Sequence, residues 1–473
     1  MPYVRILRHY IRTPYLVIAA IEYLLVIASV YLGVWVRLDV DAVIEADLFG
    51  RAALYAGMVA LSMVAMGVYE SHVREGFAGM MLRTAVAVFL IASMASAVVF
   101  YVVPDLTLGR GVLAVAAIAS FVLIAAFRWM ALRLLDRDNL KRRVLVLGTG
   151  RRAEKIAGRM RRRYDQRGFG ILGYLALDNT PDLVSRHGVK VIRLDGSLAR
   201  FCEHQRVQEI VVAMDERRRN RDSGAGLPLE ELLDCRMSGV EVCDVQAFIE
   251  REAGKLDIEL LQPSWMVFSD GFVHGFVRTA TKRTFDIVVS LGLLLLTWPI
   301  MLLAALAIWV ESGFKGPVLY RQHRVGLDGR YFEVTKFRSM QIDAEQDGRA
   351  VWAVENDPRI TRVGSVMRHL RIDELPQILN VLGGDMSFVG PRPERPEFVD
   401  DLAPKIPYYS HRHRIKPGIT GWAQLCYPYG ASLDDAQEKL QYDLYYLKNH
   451  SLLLDLIILI QTVDVVLVGD GAR

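Results

Sequence analysis

Four long apolar stretches near the N-terminus limit what this chain can fold into. Each is close to the about 20 residues that a helix needs to cross a bilayer, and they cover residues 15–36, 48–68, 84–103 and 112–132. The composition of the whole chain agrees, because 52% of its 473 residues are hydrophobic and the mean hydropathy is +0.23. The sequence therefore predicts a four-helix transmembrane domain over residues 1–136.

The charges around these stretches predict how the domain is oriented. Basic residues precede the first stretch, separate the second from the third and follow the fourth, whereas the first loop is acidic. By the positive-inside rule, both ends of the domain then face the cytoplasm. The basic residues are Arg5, Arg8, Arg12, Arg74, Arg83, Arg133, Arg137, Lys141, Arg142 and Arg143, and the acidic residues are Asp39, Asp41, Glu45 and Asp47.

A fifth apolar stretch covers residues 287–310, and as one straight helix it would be about 36 Å long and could cross a bilayer. Pro299 removes a backbone hydrogen bond and clashes with the carbonyl of Leu295, so we expect a sharp break near the middle. Both flanks are basic, which indicates that both are cytoplasmic. We predict a re-entrant helix; a fifth ordinary span with a proline kink is the alternative. The upstream basic residues are Arg278, Lys282 and Arg283.

Alternating strands and helices over residues 141–262 predict a Rossmann-like, doubly wound α/β module. Gly148, Gly150 and Ala153 fit GxGxxA directly after its first strand, where a pyrophosphate can approach a helix N-terminus, and Asp178 could meet a ribose. The same glycines also serve helix–strand packing, and no tyrosine in the chain is followed four residues later by lysine. The pattern favours a structural or regulatory role over cofactor chemistry. The strand sequences are VLVLGTG, GILGYLALD, KVIRL, EIVVAMD and VEVCDV.

Other compositional signals give no indication of a cysteine-bound metal or of a nucleic-acid partner. The four cysteines form no CxxC pair and have no histidine at metal-ligand spacing, so a zinc or iron–sulfur centre is not predicted. The net charge of +4 does not suggest a nucleic-acid partner. The cysteines, which we expect to be ordinary reduced thiols, are Cys202, Cys235, Cys243 and Cys426.

The sequence RIDELPQ, residues 371–377, places two carboxylates side by side at Asp373 and Glu374. One interpretation is a helix start, because Asp is a favoured N-cap, Glu is favoured in the first turn and Pro376 is tolerated there. The other is a reactive pair. Arginine pairs bidentately with phosphate oxygens, so the guanidinium groups that recur nearby suit a phosphorylated, membrane-associated substrate. They belong to Arg321, Arg324, Arg338, Arg359, Arg362, Arg371 and Arg392.

The order of the C-terminal motifs resembles that of the bacterial sugar transferase family, the monotopic phosphoglycosyl transferases that load a sugar-1-phosphate onto polyprenyl phosphate. The four preceding spans and the α/β module resemble the large form of that family, the polyprenyl glycosylphosphotransferases of exopolysaccharide assembly. The resemblance covers essentially the whole chain and implies a mainly α catalytic domain over residues 278–473. The motifs are GPVLYRQHRVG, YFEVTKFRSM, NDPRITRVG, RIDELPQ, GGDMSFVGPRPE and KPGITGWAQ.

The resemblance also implies roles for particular residues. Asp373 would be the nucleophile, Glu374 its partner, and Mg²⁺ would bind beside Asp373. Arg392 would grip a phosphate. The re-entrant helix, with Lys282, Arg283 and Pro299, would seat the domain in the membrane. We further expect substrate contacts from Lys336, Arg338, Arg359, Arg362 and Arg371.

The substrates and location follow from the same resemblance. We expect a UDP-linked sugar and polyprenyl phosphate as substrates, UMP as product and a phosphosugar-Asp373 intermediate. The protein would lie in the bacterial inner membrane as a multi-pass homodimer that contacts its lipids, with the catalytic domain in the cytoplasm. The apolar C-terminal run, residues 452–468, would be an interfacial or dimer-packing helix.

The proposed chemistry is consistent with the side chains alone. An Asp carboxylate, with a reference pKa of about 3.9, is ionised at pH 7 and can attack phosphorus without a general base. The obstacle is repulsion between this anion and a diphosphate, which a divalent cation and arginines must neutralise. Mg²⁺ suits such a site because it prefers oxygen ligands and few protein carboxylates.

Two departures from the family pattern and two other functions stay open. Trp298 stands where the family often has Ser before the kink proline, although Thr297 could bond the freed carbonyl instead, and Arg371-Ile372 stands where it often has Ser-Leu. The chain could instead be a membrane-anchored, NAD-dependent nucleotide-sugar dehydratase or epimerase. It could also be a non-enzymatic scaffold for polysaccharide export in which the carboxylates are only caps.

Overall fold

The fold is taken from a computed structural model, whose contacts divide the chain into two compact units, one ending at Ala253 and the other beginning at Gly254, with the first few residues divided between them. Among the described residues, four apolar helices are long enough to cross a membrane by length and composition: Leu16–Arg37, Gly79–Ala97, Arg110–Ala131 and Arg278–Glu311. The described residues are 3–6, 9–37, 48–66, 68–69, 77–103, 108–134, 141–159, 168–177, 181–194, 196–215, 227–261, 263–269, 271–272, 275–341, 359–427, 430 and 432–468.

The four predicted N-terminal spans are helical, but they differ in length and regularity. The second is only 18 residues long and falls short of the predicted Val68, and the third is divided by a π-helical segment, Val86–Ile91. The acidic first loop and Arg74, on which the predicted orientation partly depends, lie outside the described residues. The elements are β1 Tyr3–Ile6, β2 His9–Arg12, α1 Thr13–Arg37, α2 Leu48–Ala65, α3 Phe77–Ala85, α4 Ala92–Val102 and α5 Arg110–Leu134.

A buried ion pair ties these apolar helices together. Glu22 of α1 is fully buried, and its carboxylate accepts hydrogen bonds from the Arg128 guanidinium of α5 (Nη2 to Oε2, 2.8 Å) and from the Tyr69 hydroxyl. Arg128 also donates to Thr84 of α3 at 3.0 Å. Charged groups inside an apolar bundle must be paired, so this cluster specifies which helix faces meet.

The middle of the chain folds as the predicted Rossmann-like module. Its five parallel strands lie in the order β5-β4-β3-β6-β7, so the sheet grows outward in both directions from the first strand of the module, which is the doubly wound arrangement. The five strand sequences predicted from the pattern are all strands. The elements are β3 Arg142–Leu147, α6 Arg151–Arg159, β4 Phe169–Ala176, β5 Val191–Arg193, α7 Leu198–His204, β6 Glu209–Val212, α8 Leu229–Met237, β7 Glu241–Asp244 and α9 Val245–Ala253.

The N-terminus of α6, where the glycine motif would hold a pyrophosphate, is occupied by a carboxylate of the chain itself. Asp215, just beyond β6, accepts hydrogen bonds from the backbone N–H groups of Arg151 (2.8 Å) and Arg152 (2.9 Å). A Cβ on Gly150 would overlap this carboxylate. The glycine therefore makes room for Asp215, which supports the structural role predicted for the motif. Asp178, the predicted ribose contact, lies outside the described residues.

The second unit is mainly helical, as predicted, but begins earlier than the predicted module boundary at Gln262. Leu256, Ile258 and Leu261 pack in its core, and the backbone N–H of Leu256 donates to Gln441 at 3.0 Å. The elements are α10 Pro263–Phe268, α11 Phe276–Glu311, β8 Leu319–Val325, β9 Tyr331–Phe337, α12 Arg362–His369, α13 Gln377–Gly383, β10 Ser387–Val389, α14 Pro396–Leu402, β11 Gly418–Thr420, α15 Trp422–Cys426, α16 Leu433–Asn449 and α17 Leu452–Val468.

Helix α11 contains the fifth apolar stretch and continues through Pro299 for 36 residues without a change of helix type. The helix therefore does not end at this proline, and the sharp bend that a re-entrant course needs at Pro299 stays a prediction. The Thr297 hydroxyl donates to the carbonyl of Leu293 at 2.7 Å, so it does not bond the Leu295 carbonyl that Pro299 leaves free. Many large apolar side chains of α11 are exposed, among them Leu295 (75%) and Leu296 (73%).

The α6 cap gives a first prediction. Asp215→Ala removes two hydrogen bonds from a helix N-terminus and should lower the stability of the module by about 1 kcal/mol, seen as a lower midpoint of thermal unfolding. Gly150→Ala should also destabilise the module. Gly170→Ala serves as the control, because the added Cβ there has open space around it. NAD or coenzyme A should leave the wild-type midpoint unchanged; a rise that Gly150→Ala abolishes would contradict the structural role.

Candidate active site

The two adjacent carboxylates lie in a tight turn and not at a helix cap. Asp373 and Glu374 belong to a 3₁₀ turn, Ile372–Glu374, and α13 begins only at Gln377, with Pro376 as its N-cap residue. Arg371 enters the turn with a φ of +57°, a left-handed conformation that is unfavourable for a residue with a Cβ and often marks functional sites. Helical structure does begin near Asp373, as predicted, but the N-cap role predicted for Asp373 is wrong, because the cap residues are Arg371 for the 3₁₀ turn and Pro376 for α13.

The hairpin β8–β9 supplies one cation to this turn. Its strands pair antiparallel, with Tyr320 opposite Lys336. Asn380 of α13 fixes the hairpin, because its side chain accepts from the Thr335 backbone N–H (3.0 Å) and donates to the Glu333 carbonyl (2.7 Å). These contacts place the Lys336 ammonium 3.1 Å from Glu374 Oε1.

The loop after β10 supplies a second cation. β10 pairs in parallel with β11, and the two chains approach so closely that a Cβ on Gly390 or on Gly418 would overlap the opposite backbone. This close approach explains the glycines of both motifs, GPRPE and KPGIT. Backbone hydrogen bonds from Gly390 to Thr420 and from Gly418 to Pro391, both 2.9 Å, hold the loop.

A buried ion pair supports the same loop from behind. Arg412 donates to the carbonyl of Arg392 at 3.0 Å and pairs with Asp443 at 2.9 Å. Burial raises the pKa of Asp443 to about 6 against the opposing charge of Arg412, so the carboxylate is ionised at neutral pH. The sequence analysis did not identify Arg412 or Asp443, because neither lies within the Arg-rich motif series.

Three cations converge on Glu374. Lys336 and the Arg392 guanidinium each lie 3.1 Å from Oε1, and Arg371 lies 3.7 Å from Oε2. Burial raises the pKa of Glu374, but these three charges outweigh burial and hold that pKa well below its usual range. Glu374 is therefore a permanent anion that orders the cations around it.

Asp373 is in the opposite electrostatic state. Burial, and next the charge of Glu374, raise the pKa of Asp373 above its usual value, although Lys336, Arg368 and Arg371 oppose the shift. Its side chain is 8% exposed, and within the described part of the chain no group donates a hydrogen bond to it. A buried carboxylate without donors is more basic than an ordinary Asp and is ready to bind a cation or attack an electrophile.

Among the described residues of the turn, only one carboxylate is available to bind a magnesium ion. No group of three or more His, Cys, Asp or Glu that could hold a metal occurs among the described residues, and Glu374 is already surrounded by cations. Asp373 is the carboxylate that remains for a metal here. This agrees with the way Mg²⁺ usually binds, through one or two carboxylates together with substrate phosphates and water.

A pocket lies beside this cluster. Its cationic lining suits a polyanion, and the buried amide of Gln377, 4% exposed, also reaches it. Gln377 is three residues after Glu374 in the same motif, yet the sequence analysis assigned it no role. The lining residues are Arg324, Val334, Lys336, Glu374, Gln377, Arg392, Pro393, Gly418 and Ile419.

Three other predicted substrate contacts are not brought to Glu374. Arg338 has a buried Nη1 for which the described residues provide no hydrogen-bond partner, Arg362 is exposed at the start of α12, and the Arg359 carbonyl pairs with Gln341. Their predicted roles stay predictions. Arg324, in contrast, lines the pocket, where its Nη1 donates to the carbonyl of Pro393 at 3.1 Å.

The predicted membrane-anchoring cations lie inside the second unit. Lys282 donates to the carbonyl of Val389 at 3.0 Å and pairs with Asp455 of α17 at 2.7 Å. The two terminal nitrogens of Arg283 donate to the last carbonyls of α13, at Val381 and Leu382, both at 2.6 Å. These contacts fix α11 to the rest of the unit. Anchoring to lipid stays a prediction.

Comparison with known families agrees with this site. A family model described as bacterial sugar transferase matches residues 277–469, which contain all the groups around Glu374. A second model, described as a CoA-binding domain, matches residues 64–221. This second match includes part of the helical domain and most of the parallel sheet.

Three relatives illustrate how far the similarity extends. The UDP-N-acetylgalactosamine-undecaprenyl-phosphate N-acetylgalactosaminephosphotransferase of Aeromonas hydrophila is 42% identical over 242 residues, 51% of this chain and 56% of that protein. The UDP-glucose:undecaprenyl-phosphate glucose-1-phosphate transferase of Caulobacter vibrioides is 43% identical over 194 residues, 40% of this chain and 71% of that protein. The UDP-galactose-lipid carrier transferase of Erwinia amylovora is 29% identical over 368 residues, 75% of this chain and 74% of that protein.

The coverage of the relatives is uneven. The chain spans 56%, 37% and 40% of the length of the first curated relatives it matches.

The opposite states of the two carboxylates give a second prediction. Asp373→Asn removes a buried charge that has no hydrogen-bond donor, so the free energy of unfolding should stay the same or rise. Glu374→Gln leaves three partly buried cations without their anion and should lower it by about 3 kcal/mol. Urea unfolding in EDTA measures both values.

The control for this comparison is Glu397→Gln, which removes an exposed carboxylate of the same unit (56% exposed) and should change the free energy of unfolding little. If Asp373→Asn lowered the free energy of unfolding as much as Glu374→Gln does, Asp373 would have a structural role.

Proposed function

Because the chain belongs to the bacterial sugar transferase family, we propose that it transfers a sugar-1-phosphate from a nucleotide sugar, UDP-linked, to polyprenyl phosphate. The observation that carries this proposal is the contrast at the turn: Asp373 lacks hydrogen-bond donors within the described residues, and its neighbour Glu374 holds three cations at 3.1–3.7 Å. A buried carboxylate beside ordered positive charge is what attack on a diphosphate requires.

In the first step, an Asp373 oxygen attacks the sugar-bearing phosphorus. The bond from this phosphorus to the bridging oxygen breaks, UMP leaves, and the phosphosugar stays on Asp373 as an acyl phosphate. The bond between the sugar and its phosphate is not broken. Arg392 and Lys336, held by Glu374, bind the phosphate oxygens and stabilise the charge that develops on them. The raised pKa of Asp373 makes its carboxylate a stronger nucleophile than an ordinary Asp.

Mg²⁺ would be held by Asp373 and by the substrate diphosphate, where it would neutralise charge on the phosphate oxygens and leaving group. Asp373 is the only candidate protein ligand that the described residues offer at the turn. The affinity of the protein alone for Mg²⁺ should therefore be weak and should increase with the nucleotide sugar.

In the second step, polyprenyl phosphate arrives along the membrane. An oxygen of its phosphate attacks the same phosphorus, the bond to Asp373 breaks, and the carboxylate is regenerated as the lipid diphosphate sugar forms. One phosphate-binding site thus serves two bulky substrates in turn, which implies ping-pong kinetics. The named relatives act on N-acetylgalactosamine, glucose and galactose derivatives, so the sugar itself is not part of the proposal.

The membrane topology that suits this reaction is a re-entrant α11, and contacts at both ends of its apolar stretch support that topology. Before the stretch, Arg283 bonds Val381 and Leu382. At its far end, the Glu311 carboxylate accepts from the backbone N–H of Val363 at 3.1 Å. Ala304 and Ile308, in its second half, pack against Phe337 and Met367.

A crossing helix would separate these partners. Val363 and Val381 would lie on opposite sides of the bilayer, and the segment between them, which contains the catalytic turn, would have to return through it. Burying that many charges in lipid is too costly. The buried charges would include Arg368, Arg371, Asp373 and Glu374.

We also propose a location in the bacterial inner membrane, with the catalytic domain in the cytoplasm. There the domain meets nucleotide sugars, and the exposed apolar residues of α11 contact lipid. A homodimer is part of the proposal; Leu452 and Leu456 of α17, which are 43% and 39% exposed, are apolar side chains available for such a contact. The dehydratase alternative is less favoured because Asp215 occupies the pyrophosphate position of the α/β module.

The third prediction concerns the first step. Detergent-solubilised protein supplied with Mg²⁺ and a panel of UDP-sugars, but no lipid, should release UMP in an amount equal to the enzyme. The sugar-phosphate mass should appear on the peptide containing Asp373. Asp373→Asn, which should fold, should release none, and EDTA should abolish release.

Other products would indicate other reactions. UDP in place of UMP would show ordinary glycosyl transfer, and no UMP until polyprenyl phosphate is added would show direct displacement in a ternary complex. Activity of Asp373→Asn equal to that of the wild type would refute the covalent step.

The fourth prediction concerns topology. Single cysteines at Gly275 and Lys315, both exposed positions on either side of the apolar stretch, should be protected from a membrane-impermeant thiol reagent applied outside intact cells. Both should react after the cells are opened. A cysteine at Asp41 in the acidic first loop is the positive control and should react from outside. Reaction of Lys315→Cys alone from outside would establish a spanning α11.

A further inference from the structure

The N-terminal part of α11 carries a row of polar residues on the face that packs against the rest of the second unit. Lys282, Asp286 and Ser290 follow one another at intervals of four residues and therefore share one helix face. Asp286 and Ser290 are 2% and 0% exposed, and the Lys282 side chain is 14% exposed. A helix that only anchored the protein in lipid would have no use for buried charges on this face.

This row bonds every residue of strand β10. Asp286 Oδ1 accepts from the Ser387 hydroxyl (2.9 Å) and from the Phe388 backbone N–H (3.1 Å). Lys282 Nζ donates to the Val389 carbonyl (3.0 Å). The side chains of α11 thus bond β10 in addition to its backbone pairing with β11.

Helices α16 and α17 also contact Lys282, next to its hydrogen bond with Val389. Lys282 Nζ also pairs with Asp455 of α17 (2.7 Å) and donates to the Tyr446 hydroxyl of α16 (3.1 Å). The same hydroxyl lies 3.0 Å from the Val389 carbonyl and contacts Asp455. Tyr446 and Asp455 are each 1% exposed, so the cluster of Lys282, Asp455 and Tyr446, here called the β10 node, is shielded from water.

The β10 node is close in sequence to the phosphate-binding arginine. Only Gly390 and Pro391 separate Val389 from Arg392, and both are held by backbone hydrogen bonds to the β11 region. This short segment has little freedom, so a shift of β10 is transmitted to the Arg392 guanidinium. Arg392 must stay 3.1 Å from Glu374 Oε1 for the cation cluster to remain intact.

We propose that the β10 node positions Arg392 for catalysis and that it makes this position depend on how α11 is seated. The inference rests on the proposed function, since Arg392 acts there as the phosphate ligand. Lys282, Asp455 and Tyr446 are positioning residues: they touch neither the pocket nor the turn, and they act through the backbone of β10. The membrane helix is then a working part of the active site as well as its anchor.

The chain offers a closely matched control for a test of Lys282. Lys255 pairs with Glu438 at 2.7 Å in the same unit, and its side chain is 12% exposed against 14% for Lys282. Lys255→Met and Lys282→Met each remove one ion pair of the same length, although Asp455 is more buried than Glu438 (1% against 26% exposed). Only Lys282 contacts β10. Lys282→Arg keeps the charge and should retain part of the function.

The first measurement needs no activity. Hydrogen exchange of the peptide that contains residues 387–395 should be faster in Lys282→Met than in wild-type protein, and it should be unchanged in Lys255→Met. Equal exchange in the two variants would overturn the proposal. Because the exchange is measured without substrate, this result stands even if the protein releases no UMP.

The second measurement is a double-mutant cycle on lipid-free UMP release. Lys282→Met should slow single-turnover release about tenfold in the wild-type background and about twofold or less in Arg392→Ala, because the two changes act on the same group. Equal slowing in both backgrounds would show that Lys282 does not act through Arg392. Absence of release in the wild type would instead contradict the proposed function, and the exchange experiment would then decide the role of the β10 node.

Discussion

The active site depends on one anion, Glu374, that is surrounded by cations from three separate parts of the chain. Lys336 comes from the β8–β9 hairpin, and Arg392 comes from the loop after β10. Arg371 precedes the turn and has a left-handed backbone conformation. Three neighbouring cations repel one another in a partly buried site, so they stay together only because a carboxylate is fixed between them. The left-handed backbone at Arg371 and the glycines where β10 and β11 approach closely accompany this convergence.

The adjacent carboxylates have the same chemistry and opposite environments. Glu374 is stabilised as an anion by its neighbours, whereas the pKa of Asp373 is raised by burial and by Glu374 itself. Separated pKa values within a pair of acids are a common sign that the two have different tasks. One carboxylate organises positive charge, and in the proposed mechanism the other forms the bond to phosphorus.

Much of this could be predicted from the sequence, and the failures have physical causes. Hydrophobic runs and strand patterns predicted the helical domain and all five strands of the α/β module, since both patterns depend on local periodicity. The N-cap role of Asp373 was predicted wrongly, because capping preferences cannot show that Arg371 turns the chain through a left-handed conformation. The role of Gly150 could not be resolved from spacing, because the anion at α6 is Asp215, 65 residues later in the chain. Arg412 and Asp443 were missed because a buried pair that supports a loop has no motif of its own.

The cations of α11 show why a membrane signal and a catalytic signal are hard to separate in one sequence. Basic residues before an apolar stretch are typical of a membrane boundary, and Lys282 and Arg283 fit that description. In the fold, however, both donate to backbone carbonyls of the second unit, and Lys282 pairs with Asp455 of α17. A cation that was only a boundary marker would lie in the lipid head groups and could be replaced by any basic residue nearby. A cation that holds β10 has a fixed geometry, so under the two proposals membrane attachment and the placement of Arg392 would depend on the same side chain.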